Sequence, residues 1–163
     1  MLSQSARQIA VALLARRDYS RQEIRSKLLE KGFEVVDIEP VLDDCEASGF
    51  INDTRYAELL VRSHIARGHG PIRIRQAIAQ KGLSKDCIEA ALSANEHDWF
   101  ELAKVKAIKK YVTPKVTEVK GSQSRELVAK EKAKRVRFLL SQGFNYEQVS
   151  YALDYDPLAD NDD

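Results

Sequence analysis

The 163-residue chain is predicted to be all-α, an array of three tandem three-helix repeats. Three observations predict this class. Apolar residues recur at three- and four-residue spacing along nearly the whole chain, the period of a helix with one buried face. Capping residues and glycines punctuate those stretches where helices start and stop. Finally, Gly32, Gly82 and Gly143 bring their neighbours into register when they are aligned. Phe33, Leu83 and Phe144 follow them; Ile38, Ile88 and Val149 stand six residues on; Leu42, Leu92 and Leu153 stand ten on; Leu28, Ile78 and Leu139 stand four before. A lone unit of this size buries too little surface, and neighbouring units cover each other. The repeats are expected at 1–48, 49–94 and 95–155, the third with a loop insertion near 112–125, followed by an acidic tail at 156–163.

Taken in order, the first helix covers residues 5–17, with Ile9, Ala12 and Leu13 on its apolar side. Ser20 and Glu23 form a capping box for the second, in which hydroxyl and carboxylate each satisfy a backbone N–H at the helix start. That helix carries Ile24 and Leu28 and stops at Gly32. The third, about 36–48, uses Ile38, Leu42 and Cys45. Pro40 fits there only in the first turn, so a start near Val36 or Asp37 is expected. Asn52 or Asp53 caps the fourth, whose apolar side holds Tyr56, Leu59 and Leu60. It ends at Arg67-Gly-His-Gly70. Pro71 opens the fifth, where its missing N–H costs nothing; Ile74, Ala77 and Ile78 form its apolar face. Ser84 caps the sixth, with Ile88, Ala91 and Leu92 facing inward. The seventh runs from about Asp98 to Tyr111 on Leu102, Val105 and Ile108. Residues 112–125 read as a loop, and the eighth helix covers about 126–142. Asn145 and Gln148 imitate a capping box for a ninth, which carries Val149 and Leu153.

No apolar run approaches the roughly 20 residues that span a bilayer. With no secretory pattern at the N-terminus, a cytoplasmic protein is expected. Cys45 and Cys87 both fall on apolar helix faces and read as reduced core thiols. No catalytic constellation, metal-ligand spacing or phosphate loop stands in the chain, so a protein that is not an enzyme, with no cofactor and no metal, is expected. His64 reads as a partly buried helix residue. His69, between two glycines, reads as a loop histidine able to touch phosphate. Asp43 and Asp44 diverge by about 100° on a helix and read as a solvated face rather than a metal pair.

Charge is uneven although the whole chain nets +1. Residues 1–48 net −2, 49–94 net +3 and 95–153 net +5, while 154–163 hold five acidic residues and no basic one. Such asymmetry points to a polyanionic partner, with solvated helix surfaces as the competing reading. The candidate binding residues are Arg62, Arg67, Arg73, Arg75 and Lys81. The start of the fifth helix adds free backbone N–H groups, so a phosphate or carboxylate could be held there by backbone and arginine together. The alternative is a local pair such as Arg75 with Glu89. Lys130, Lys132, Lys134, Arg135 and Arg137 form a second basic patch, with a merely solvated surface as its equal competitor.

Several stretches carry a resemblance. Ala15-Arg-Arg-Asp-Tyr-Ser-Arg-Gln-Glu-Ile24, Lys27-Leu-Leu-Glu-Lys-Gly32, Gly49-Phe-Ile-Asn-Asp53 with Arg55-Tyr56-Ala57, Gly68-His-Gly-Pro-Ile-Arg-Ile74, Lys81-Gly-Leu83 and Arg137-Phe-Leu-Leu-Ser-Gln-Gly143 stand in order and at spacing that resembles the RecX family of bacterial recombination regulators, over about residues 5–155. The resemblance implies an elongated, curved molecule of tandem three-helix repeats. It also implies binding to the RecA recombinase filament on DNA, with limits on filament assembly, ATP hydrolysis and strand exchange. The expected partners are that filament and, non-specifically, single- or double-stranded DNA, with the chain acting as a monomer. The other readings are a helix-turn-helix DNA-binding protein acting without RecA, and a plain helical scaffold. No helix is rich in Asn, Gln and Arg at base-reading positions, which argues against specific readout.

Overall fold

Residues 4–111 and 122–154 are described by a computed structural model. Among them stand nine helices and no strand: α1 (Ala6–Arg16), α2 (Arg21–Glu30), α3 (Val35–Ala47), α4 (Asp53–Ala66), α5 (Pro71–Gln80), α6 (Lys85–Ser93), α7 (Trp99–Lys110), α8 (Ser122–Ser141) and α9 (Tyr146–Asp154). The protein is an all-α helical repeat. Its starts follow the capping chemistry. Ser20 and Glu23 close a capping box on α2, and Asn145 and Gln148 close one on α9, the Asn145 Oδ1 accepting from the Gln148 N–H at 2.8 Å. Ser84 and Asn52 accept from the N–H groups of Cys87 and Arg55. A further box, Ser5 with Gln8, starts α1.

The three aligned glycines are equivalent in space as well as in sequence. Gly32, Gly82 and Gly143 have φ of 93°, 81° and 102°. This left-handed conformation costs a side-chain-bearing residue about 1–2 kcal/mol and lets the chain turn sharply after the helix. Around them the aligned apolar residues are buried: Leu28, Ile78 and Leu139 are 0% exposed, and Leu42, Leu92 and Leu153 are 8% or less. Each such side chain contributes roughly 1.5–3 kcal/mol by leaving water.

The described residues form two compact units. One comprises those up to Arg62 together with Gln76–Asn95; the other comprises Ser63–Arg75 together with those from Glu96 onward. In the first unit the core gathers Ile24 and Leu28 of α2, Ile38, Leu42 and Cys45 of α3, Ala6 and Ala10 of α1, and Ile51. An ion cluster edges it. Arg21 reaches Glu39 at 2.8 Å, Asp43 at 2.9 Å and Glu46 at 3.1 Å, and Arg25 shares Glu39. Asp43 and Asp44 diverge as the helix dictates, but each is ion-paired: Asp44 turns to Arg7 at 3.0 Å. In the second unit α7, α8 and α9 enclose Ala103, Ala107, Leu139, Phe144, Val149, Ala152 and Leu153.

Several expectations are corrected. Helix α3 begins at Val35, so Pro40 lies past the first turn, inside the helix. Pro40 is exposed and Val36, whose carbonyl loses its helical partner, is 72% exposed, so water can replace the missing bond. Ala12 is exposed, and Ala6 and Ala10 face the core instead. Leu59 is 45% exposed because the buried stripe of α4 passes through Tyr56, Ala57, Val61 and His64. On α7, Val105 and Ile108 are exposed while Ala103 and Ala107 are fully buried. Small side chains at i and i+4 let α9 approach closely, and that packing selects the alanine face over the bulkier one. Helix α8 starts at Ser122, inside the stretch expected to be loop. Residues 112–121, the rest of that stretch, and the acidic tail from 155 lie outside the described residues.

Candidate functional site

The densest chemistry in the second unit surrounds the link from α4 to α5. Gly68 turns the chain with φ of 78°. It brings His69 back under His64 of α4, their Nδ1 atoms 2.8 Å apart and their rings 5.1 Å between centroids. One Nδ1 must therefore donate and the other accept. Both residues are buried. Burial, reinforced by the positive charges of Arg73, His64, Arg67 and Lys106, pulls the His69 pKa down from 6.5 to about 4. His69 is thus a packed residue whose Nδ1 is engaged by His64.

The cations that depress it form a ring of positive charge. Arg67 and Arg73 are exposed. Arg67 hangs loosely on Ser63, its Nε 3.4 Å from the Ser63 carbonyl. Arg73 points a guanidinium N–H at the Ser141 carbonyl, 3.4 Å away. Lys106 of α7 donates to the Arg67 carbonyl at 3.0 Å and lies across Gly68. Lys106 escaped sequence reasoning. Its position beside Ala107 marks it only once Ala107 is known to be buried. Both Lys106 and Arg73 reach toward carbonyls at helix C-termini, the favourable place for a cation.

Two of the backbone N–H groups expected to be free at the start of α5 are already used. The Gly70 N–H donates to the Gln142 carbonyl at 2.7 Å and the Ile72 N–H to the Gly143 carbonyl at 3.0 Å. The N-terminus of α5 caps the C-terminus of α8, so those two N–H groups are not available to an anion. Gly70 permits the approach: a Cβ on it would lie 2.5 Å from the Gly143 carbonyl.

The other candidates are distributed as follows. Arg75 is an exposed residue of α5 in the second unit. Arg62 and Lys81 belong to the first unit. Arg62 is exposed; Lys81 is half-buried and its carbonyl accepts a hydrogen bond from the Ser20 hydroxyl. On α8, Lys130, Lys132, Lys134 and Arg137 are exposed. Arg135 is committed to packing: it pairs with Glu131 at 3.1 Å and lies 4.3 Å over the Tyr111 ring, which meets Phe138 edge-on. Leu127, Lys130, Glu131, Ala133, Lys134 and Arg137 line a shallow groove of about 400 Å³. Among the described residues, no helix is long and apolar enough to cross a membrane.

Comparison with known proteins places the chain in a family. Residues 6–45 match the model of the RecX first three-helix domain and residues 52–92 that of the RecX second three-helix domain. The chain is 85% identical to the regulatory protein RecX of Shewanella oneidensis, over 76% of this chain and all of the relative. It is 41% identical to the regulatory protein RecX of Vibrio parahaemolyticus, over 93% of this chain and 92% of the relative. Its fold resembles the crystal structure of RecX from Lactobacillus salivarius, with a TM-score of 0.70 at 21% identity, covering 91% of this chain and 92% of that one.

Proposed function

Because the chain belongs to the RecX family of regulatory proteins, we propose that it is a non-enzymatic modulator of the RecA recombinase, binding the RecA filament on DNA and limiting its assembly, ATP hydrolysis and strand exchange. The observation that carries the reading is sequence identity along nearly the whole chain to proteins that bear a regulatory name. The ring of Arg67, Arg73 and Lys106 supports it. Three cations around a histidine held neutral, with a histidine as its partner, make a surface that attracts anions, such as DNA phosphates or the acidic side chains of a filament protomer. The exposed Lys130, Lys134 and Arg137 of α8 offer a second such surface. Arg62, Arg75 and Lys81 complete the proposed contacts.

The test is DNA-dependent ATP hydrolysis by the cognate RecA while this protein is titrated in. Inhibition well below the RecA concentration is expected. The double variant Arg67→Glu, Lys134→Glu should raise the half-inhibiting concentration about tenfold, a loss of about 1.4 kcal/mol, and the inhibition should fade as salt rises. No effect at any ratio, with the protein folded, overturns the reading. A discrete DNA footprint in the absence of RecA would instead favour an independent DNA-binding protein.

A further inference from the structure

The junction between α5 and α8 has a counterpart in the first unit. Twelve residues before Gly82 stands Gly70, and twelve before Gly32 stands Ser20. Gly70 donates its N–H to the carbonyl of Gln142, the residue before Gly143. Ser20, its aligned partner, donates its hydroxyl to the carbonyl of Lys81, the residue before Gly82. In each case the start of a repeat's second helix plugs into the glycine turn of the repeat that follows. The glycines are needed because the plugs press on them. A Cβ on Gly82 would stand 2.6 Å from the Gln22 side chain, and one on Gly143 would stand 2.6 Å from the Arg73 backbone nitrogen.

The turn at Gly32 has the same left-handed conformation, yet a Cβ there would meet nothing within 4 Å. The next residue tells the same story: Leu83 and Phe144 are 5% and 0% exposed, whereas Phe33 is only half-buried. Lys31 is exposed where its counterparts Lys81 and Gln142 are half-buried. Beside this turn the surface is apolar, with Val35 54% and Val36 72% exposed, where the other two turns carry Lys85-Asp86 and Tyr146-Glu147. Among the described residues the chain supplies three sockets and two plugs. The third position in register, Glu131, lies in the middle of the continuous helix α8 and starts nothing.

We infer that the Gly32 turn is a docking socket for the N-terminus of a helix supplied by another protein, entering as Ser20 enters at Gly82 and Gly70 at Gly143. The occupant is a helix start with a small or hydroxyl-bearing cap residue and a free backbone N–H, seated against the Lys31 carbonyl and the Phe33 ring. A second copy of this chain is not chosen as the occupant, because the two helix starts described as plugs, Ser20 and Gly70, are already engaged within the chain. The identification of that protein as a RecA protomer rests on the function proposed above.

Two measurements test it. The first titrates the isotopically labelled full chain with a peptide of residues 19–30, the chain's own plug, at millimolar concentration, since so short a helix is marginal in isolation. Amide shifts centred on Gly32 and Phe33 are expected. Their absence, or their survival in Gly32→Asn, overturns the inference. Asparagine tolerates the left-handed conformation and there is open space for its side chain, so the variant should fold; should it not, the wild-type titration alone decides. The second measures affinity for RecA filaments on single-stranded DNA, where Gly32→Asn should cost about tenfold. Filament binding that Gly32→Asn leaves intact overturns the socket and spares the proposed function. Peptide binding at Gly32 by a protein that ignores filaments spares the socket and overturns that function.

Discussion

Replacing Gly70 by alanine should break the second unit where α5 meets the end of α8. The added Cβ would sit 2.5 Å from the Gly143 carbonyl and 2.6 Å from the Phe144 nitrogen, where no real Cβ contact lies. Backbone on both sides leaves no flexible side chain to yield. Moving α5 away would lengthen the two hydrogen bonds, at 2.7 and 3.0 Å, that join it to the end of α8. Those bonds contribute about 1 kcal/mol each, and the overpacking costs roughly 1–3 kcal/mol. Reduced freedom of the unfolded chain returns about 0.5–1 kcal/mol. The net loss is about 3 kcal/mol. Urea unfolding measures it, with helical circular dichroism following the whole chain and Trp99, the sole tryptophan, reporting the second unit. The internal comparison is Gly32→Ala, which meets open space and pays only for its positive φ, about 1 kcal/mol. If Gly70→Ala costs less than 1 kcal/mol, or no more than Gly32→Ala, the plug-and-socket reasoning is refuted.

The remaining expectations follow from the same geometry. Because the His69 pKa falls to about 4 in the folded protein, the unfolded chain takes up the proton first as pH drops. The contribution of His69 to stability should therefore be constant above pH 6.5 and decline between 6.5 and 4, by up to about 3 kcal/mol. Urea midpoints across that range, compared with those of His69→Phe, measure the difference; an equal acid sensitivity in the variant would contradict it. Ser20→Ala removes both the capping box of α2 and the donor to the Lys81 carbonyl, and should cost about 1–2 kcal/mol. Ser84→Ala removes a cap bond to Cys87 alone and should cost less in the same assay.

The chain's local chemistry was legible in its residues. The helices seen among the described residues, their caps at Ser20, Ser84 and Asn145, and the three glycine turns follow from hydroxyl, amide and glycine positions that act within a few residues of themselves, whereas only the structure chose Asn52 over Asp53 for α4. The apolar pattern Leu28, Ile38 and Leu42, repeated twice, marked the core because burial of large side chains dominates folding. Where a helix offered two apolar faces, the pattern had no means of choosing: on α7 the exposed Val105 and Ile108 looked better than Ala103 and Ala107. Only close approach by α9 rewards small residues, and that is a property of the neighbour.

The same distinction governs the candidate site. Sequence singled out Arg67 and Arg73 by their charge and setting, but it could not show that His69 is buried or that the Gly70 and Ile72 N–H groups at the start of α5 are taken. A histidine between two glycines looks solvated, and a helix N-terminus looks free, until something distant covers them. His64 packs on the first, and burial together with nearby positive charge keeps it neutral; the carbonyls of Gln142 and Gly143 occupy N–H groups of the second. Lys106 joined the ring through contacts more than thirty residues away in sequence. The helix caps at Ser20, Ser84 and Asn145 and the glycine stops are decided by residues acting on near neighbours, so the sequence by itself determined them, whereas the buried face of α7 was chosen by its neighbour. Which polar groups remain available to a partner is decided by who already holds them, and only the tertiary structure could say that.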